Sequence, residues 1–168
     1  MACDIISSMI VFWTDGSASP NPGPGGFAVI EVRDNVGKPV ILGKEEKSSN
    51  IRMEGLAITA AIKRANGEPC EVHTDSEFWV NVLTKWAPAW KKNEWHKADE
   101  KKFNSSGEFI GWKETKIKNL DIVQTLYELY EKNPVELVWT RGHVGTEFNE
   151  MADEWANRAR EGAKLSEM

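Results

Sequence analysis

A chain of 168 residues, 40% hydrophobic and 28% charged, has the length and composition of one globular domain with a sizeable core. Its net charge of −5 argues against a generally basic nucleic-acid binder, and its two cysteines, Cys3 and Cys70, exclude a disulfide framework and a cysteine metal site. The opening MACDIISSMIVFW carries an acid where a signal peptide needs basic residues, and its apolar run is too short to span a bilayer, so the expected setting is intracellular, cytoplasmic and away from membranes.

In chain order, Ile10 to Asp15 has strand character, and the turn-rich SASPNPGPGG is expected to be a loop. FAVIEVRD reads as a second strand, NVGKP as a hairpin turn and VILGKEEK as a third, so the three are expected to pair antiparallel. Ser48 or Asn50 is a candidate cap for a helix from Met53 to Asn66. Leu56, Ala57, Ala60, Ala61 and Ile62 form its apolar side, Glu54 falls in its first turn, and Gly67 with Pro69 ends it.

CEVHT is a fourth strand and SEFWVNVLTKW a following helix. The stretch from Asn104 to Phe109 reads as a local loop insertion. After Asn119, LDIVQTLYELYEKN repeats apolar residues at helical spacing through Leu120, Val123, Leu126, Tyr127 and Tyr130. VELVWTR is a fifth strand, GHVGTE a glycine-flanked loop, and a last helix runs from about Asn149 to Arg160. Strands that open as a meander and then alternate with helices imply an α/β fold: a mixed five-stranded sheet, three strands antiparallel and two parallel, covered by helices. The expected organisation is a single domain over 1–168, with a basic protrusion at about 85–118 and a C-terminal tail at about 162–168.

Four acids stand out by placement. Asp15 closes the first strand, Glu54 opens a helix, Asp75 ends the fourth strand, and Asp153 sits in the last helix. Singly, each reads as a cap or a solvated surface group. Jointly, they suggest a cluster whose mutual repulsion a hard divalent cation with oxygen ligands would relieve.

Charge is uneven along the chain. From Lys85 to Lys118 nine lysines face five acids, a net of +4, which leaves −9 for the remainder. The same segment holds Trp86, Trp90, Trp95 and Trp112, half of the eight tryptophans. Lysines suit phosphates and aromatic faces suit sugars or bases, while a helical pair would bury some of these rings. A mixture of both roles is expected. Of the three histidines, His73 reads as a core group and His96 as part of the protrusion; His143 stands between glycines, and histidine is the side chain whose unperturbed pKa, about 6.5, suits proton transfer near neutrality.

The stretches TDGSASPNPGPGG, NIRMEGLAITAA, TDSE, WAPAWKKNEWHKADEKK, KNLD and GHVGTEFNEMAD, in this order, resemble the type 1 ribonuclease H family across nearly the whole chain. The resemblance implies an endonuclease that cleaves the RNA strand of RNA/DNA hybrids with two divalent ions, Mg²⁺ with Mn²⁺ as a possible substitute, leaving 3′-hydroxyl and 5′-phosphate ends. It assigns the metal-binding carboxylates to Asp15, Glu54, Asp75 and Asp153 and a proton-transfer or product-release role to His143. It places Asn21, Ser49, Asn50, Ser76 and Asn119 along the backbones of the hybrid, with Trp86 and Trp90 on the DNA side. Gly16 and Ser17, with Asn50 and Ser76, are positioned to read a 2′-hydroxyl.

Two positions depart from the family pattern: Ile51 stands where many relatives have a second asparagine, and Glu77 where a glutamine is frequent. The insertion from Asn104 to Trp112 lengthens the protrusion. A monomer is the default expectation. Rival readings are a binding module on the same scaffold, another nuclease such as a resolvase, transposase or exonuclease, and a divalent-metal phosphatase; the last leaves the basic tryptophan segment without a purpose.

Overall fold

Apolar alternation along IVFWTDGSA puts Phe12 on one face of the first strand, β1 (Ile10–Ala18), and Trp13 on the other. In the computed structural model, which describes residues 9–141 and 146–165, β1 pairs antiparallel with β2 (Gly23–Arg33), and β2 with β3 (Val36–Ser48). The expected loop SASPNPGPGG is mostly strand: Ser17 pairs with Gly26 and Ala18 with Gly25, and only residues 19–22 turn. Pro24 is tolerated because it supplies a carbonyl rather than an N–H, accepting from Ser19 N at 3.0 Å.

Helix α1 (Asn50–Ala65) begins three residues earlier than its apolar periodicity predicts. Its cap is Ser49, not Ser48 or Asn50: Ser48 still pairs in β3 with Gly23, and the Ser49 hydroxyl accepts from Arg52 N at 3.1 Å. Glu54 consequently lies in the second turn. The buried side also takes in Met53, Ile58 and Ala65, because α1 packs on the sheet and on a second helix at once.

β4 (Cys70–Thr74) leads to α2 (Glu77–Asn81), which runs through a π-helical turn at Val82–Trp86 into α3 (Ala87–Lys92). Beyond a short 3₁₀ turn, the expected loop from Asn104 to Phe109 is the connection of a hairpin between β5 (Lys101–Phe103) and β6 (Phe109–Trp112), with only Phe109 of it in a strand. Then come α4 (Leu120–Lys132), β7 (Val135–Trp139) and α5 (Glu147–Arg160).

The main sheet has the order β3-β2-β1-β4-β7, with β1, β4 and β7 parallel. The core lies between the sheet and α1, α2 and α4, centred on Phe12, Ile58, Val72, Trp79 and Leu126. On the opposite face α5 buries Ala152, Ala156 and Ala159 against β1 and β2. Among the described residues no helix is long and apolar enough to cross a membrane.

Candidate metal centre and nucleic-acid surface

Parallel pairing sets the site. Trp13 is in register with His73, and Thr14 Oγ1 donates to the His73 carbonyl at 3.0 Å, so the next acids along β1 and β4, Asp15 and Asp75, emerge side by side. Helix α1 then crosses β1 at Gly16, where a Cβ would stand 2.4 Å from the Met53 carbonyl carbon and 2.5 Å from Glu54 N. Only glycine permits that approach, and the approach brings Glu54 to the two aspartates.

One carboxylate oxygen each from Asp15, Glu54 and Asp75 lies within 4.8 Å of the others. Asp153, from α5 on the far face, is a hydrogen-bonding neighbour of Asp15. Elements distant in sequence thus deliver four acids to one place.

Their protonation records the cost of that crowding. Burial, reinforced by the charge of Asp75, pushes the Asp15 carboxyl up to about 9; the Gly16 N–H, donating at 2.9 Å, opposes the rise, and Asp153 adds to it. Burial likewise pushes Glu54 up to about 7, with the Ser76 hydroxyl pulling the other way and Asp75 adding a smaller push. Asp15 and Glu54, held above the usual carboxylate range by burial and by neighbouring acids, together with Asp75 offer hard oxygen donors that fit a divalent cation.

The other sequence-predicted residues fall into separate groups. Ser76 caps α2, accepting from Trp79 N at 3.2 Å, and touches Glu54. The Ser17 hydroxyl donates to Asn157 Oδ1 at 3.0 Å. Asn50 Oδ1 accepts from Ala18 N at 2.7 Å, and Asn21 Oδ1 from Asn50 N at 3.1 Å, tying the β1–β2 turn to the start of α1. Asn119, in left-handed backbone conformation before α4, lines a cavity of about 180 Å³ with Ile51, Phe78, Trp90, Lys97, Lys116, Ile117 and Lys118. Trp86 is 40% exposed beside Trp90, their ring centres 6.2 Å apart. Trp90 and Trp95 pack partly against the core, while Trp86 is exposed. His143 lies outside the described residues.

Several residues escaped sequence reasoning. Arg52 bridges Glu45 at 2.9 Å and Asp121 at 3.1 Å, a link between three elements with no local signal. Trp139 Nε1 donates to the Asp75 carbonyl at 3.3 Å; its place at the end of a strand parallel to β4 was the available clue. Asn157 stands one helical turn beyond Asp153, and i, i+4 spacing on α5 could have found it.

Fold and site together define an α/β protein with an acidic cluster at the carboxyl ends of its parallel strands, suited to a divalent cation. The RNase H family profile matches residues 7–161. Curated relatives named ribonuclease H include one from Bordetella pertussis, 35% identical over 157 residues (92% of this chain, 91% of the relative). Another, from Mesorhizobium japonicum, is 38% identical over 153 residues (90% of this chain, 77% of the relative). Among solved structures, LC9-RNase H1, a type 1 RNase H with the type 2 active-site motif, superposes with a TM-score of 0.71 at 24% identity, covering 93% of this chain and 74% of that one. The chain belongs to the RNase H family, and through that membership it is a nuclease, a hydrolase with ribonuclease H activity.

Proposed function

We propose that the chain hydrolyses the RNA strand of RNA/DNA hybrids, holding two Mg²⁺ ions through Asp15, Glu54, Asp75 and Asp153 and leaving 3′-hydroxyl and 5′-phosphate ends. The observation that carries the reading is the convergence of Asp15, Glu54 and Asp75 oxygens to within 4.8 Å. When bound, such an ion pair supplies an activated water and neutralises charge on the departing oxygen; Mn²⁺ is an acceptable substitute for oxygen donors.

The protein's own groups do the rest. The partly buried carboxylates would hold the cations in a site of low dielectric, where charge is felt strongly. Ser76 orients Glu54 by its hydrogen bond. With Asn50 Oδ1 held by the Ala18 N–H, the amide NH₂ is what Asn50 offers to a 2′-hydroxyl; Gly16, Ser17 and Ser76 complete that ribose-reading edge, and Asn21 buttresses it. Across the duplex, Ser49, Asn119, Trp86 and Trp90 take the DNA backbone, with Lys97, Lys116 and Lys118 neutralising phosphates. His143 moves a proton or hastens product departure.

The test is a substrate panel: hybrid, double-stranded RNA, double-stranded DNA and a small phosphate ester, each with Mg²⁺, and with Asp15→Asn as control. Metal-dependent cleavage of the hybrid alone, abolished in Asp15→Asn, is the expected result. Turnover of the small ester without the hybrid overturns the reading.

A further inference from the structure

The β5–β6 hairpin leaves large apolar surface in water. Phe103 is 57% exposed, Phe109 51% and Ile110 60%. Cross-strand pairing puts Phe103 opposite Phe109 and Lys101 opposite Trp112, so two aromatic rungs and a lysine share one side. Phe103 and Phe109 stand 6.2 Å apart, Phe109 meets Trp112 edge-on at 5.3 Å, and Trp112 stacks on His96 at 4.8 Å with 11° between planes. Lys101 Nζ lies 5.9 Å from the centre of the Trp112 ring.

The hairpin is also firmly seated. Glu100, 2% exposed at its base, accepts from Lys97 N at 2.7 Å and from Lys116 N at 2.5 Å, and its carbonyl accepts from Lys113 N at 2.7 Å. Exposed rings on an anchored support are unusual in a protein surface and mark an interaction site. The row is tied to the groove of Trp86, Trp90 and Lys97 through the chain: His96, on which Trp112 stacks, immediately precedes Lys97, which lines that groove.

We infer that the β5–β6 hairpin is a stacking platform for unpaired nucleotides that continue from the end of a bound hybrid, with Phe103 and Phe109 taking bases and Lys101 taking a phosphate. The inference rests on the proposed hybrid-binding reading and extends its footprint. Paired bases keep their faces inside the duplex, so exposed rings beside lysines suit a single strand. Charge argues against a second copy of the chain as occupant: a two-fold contact of the hairpin would bring Lys101 and Lys102 against their equals across one seam, whereas a nucleic-acid strand brings phosphates to them.

Binding of the full chain is measured in chelator by fluorescence anisotropy, using a blunt hybrid and the same hybrid with a single-stranded DNA tail of about eight nucleotides at each end in turn. The expected result is about tenfold tighter binding with the tail at one end, the contribution of one or two stacked bases. That gain is lost in the double variant Phe103→Ala/Phe109→Ala and largely kept in Phe103→Trp/Phe109→Trp. Both positions are exposed, and an unchanged melting temperature checks the fold. A tail that adds nothing at either end, or a gain that survives the double alanine variant, overturns the platform. So does a wild-type dimer in sedimentation that the same variant dissolves. Failure to prefer blunt hybrid over double-stranded DNA sinks the underlying reading instead, which separates the two failures.

Discussion

Trp79 abuts Gly55: a Cβ at position 55 would stand 2.4 Å from Cζ2 of the indole and 2.7 Å from Cε2. One turn earlier on the same helix the Ile51 carbonyl accepts from Trp79 Nε1 at 2.7 Å. A fully buried tryptophan thus clamps α2, which begins just after Asp75 and Ser76, to the helix that carries Glu54. The spacing of the acids depends on a small residue facing a large one.

Gly55→Ala sets two effects in opposition. Alanine raises helix propensity by about 1 kcal/mol, while overpacking against a ring that cannot retreat costs about 1 to 3 kcal/mol. Net destabilisation is expected in urea melts, with kcat down on the order of tenfold, because displacements well below 1 Å matter in such a site. Trp79→Leu alone leaves a void, yet in Gly55→Ala/Trp79→Leu the methyl fills part of it. The coupling is expected to exceed about 0.5 kcal/mol. Strict additivity would show that the contact does not carry the positioning.

The pH dependence of the metal-free protein has an unusual sign. In the unfolded chain Asp15 ionises near 3.8, in the folded chain near 9, so between those values the folded state binds the extra proton. Stability from this group is full below the unfolded value and is lost as pH rises toward the folded one. Glu54 adds the same trend between 4.5 and about 7. Acids held low by arginine, such as Glu31 and Asp121, pull the other way; comparison with Asp15→Asn isolates the site. The variant is expected to be more stable than wild type in chelator, by a margin that grows from about pH 5.5 to about pH 8.5. For a chain of this size each kcal/mol moves the melting temperature by roughly 2–4 °C. Mg²⁺, which favours the ionised form, should raise the wild-type midpoint more at the higher pH and leave Asp15→Asn nearly unmoved. A margin that shrinks with pH would refute the assigned protonation.

Much of this was legible in the chain, for identifiable reasons. Asp15, Glu54 and Asp75 sit near ends of strongly patterned elements, and a parallel β1–β4 pair leaves their acids little choice of neighbourhood. Proline and glycine density misled at SASPNPGPGG, because Pro24 serves β2 through its carbonyl and the glycines accommodate the helices on both faces of the sheet. Lys101 to Trp112 concealed a hairpin because its strands have three and four residues, too few to show a period. The Arg52 bridge and the Trp79 clamp are properties of packing between elements. No window of one element contains them.

Ser76 offers a test that separates stability from chemistry. Its hydroxyl oxygen accepts from Trp79 N at 3.2 Å as the cap of α2, and the same group restrains the protonation of Glu54. Ser76→Ala should cost about 1 kcal/mol in stability. It should also let the Glu54 pKa rise further, moving the acid limb of the kcat–pH profile to higher pH. Ser76→Thr retains the hydroxyl and should restore both. A stability loss with no movement of the limb would leave Ser76 a cap and nothing more.

Glu77 and Ile51 are the two departures from the family pattern, and both are exposed at the edge of the proposed substrate surface. Glu77 occupies the first turn of α2, next to Ser76, where the positive end of a helix would otherwise favour an anion. An acid there repels an approaching phosphate, so Glu77→Gln should lower KM for the hybrid with kcat nearly unchanged, and the gain should shrink as salt is raised. Ile51 is 37% exposed and lines the cavity with Asn119, Lys116 and Lys118. Ile51→Asn should lower KM as well, by a hydrogen bond worth about 1 kcal/mol or roughly fivefold, and this gain should persist at high salt. Because the two positions flank Ser76 and Asn50 without touching the carboxylates, their effects should multiply in the double variant. A KM that rises in Glu77→Gln would mean that the side chain helps to hold substrate, and would move the duplex away from the start of α2.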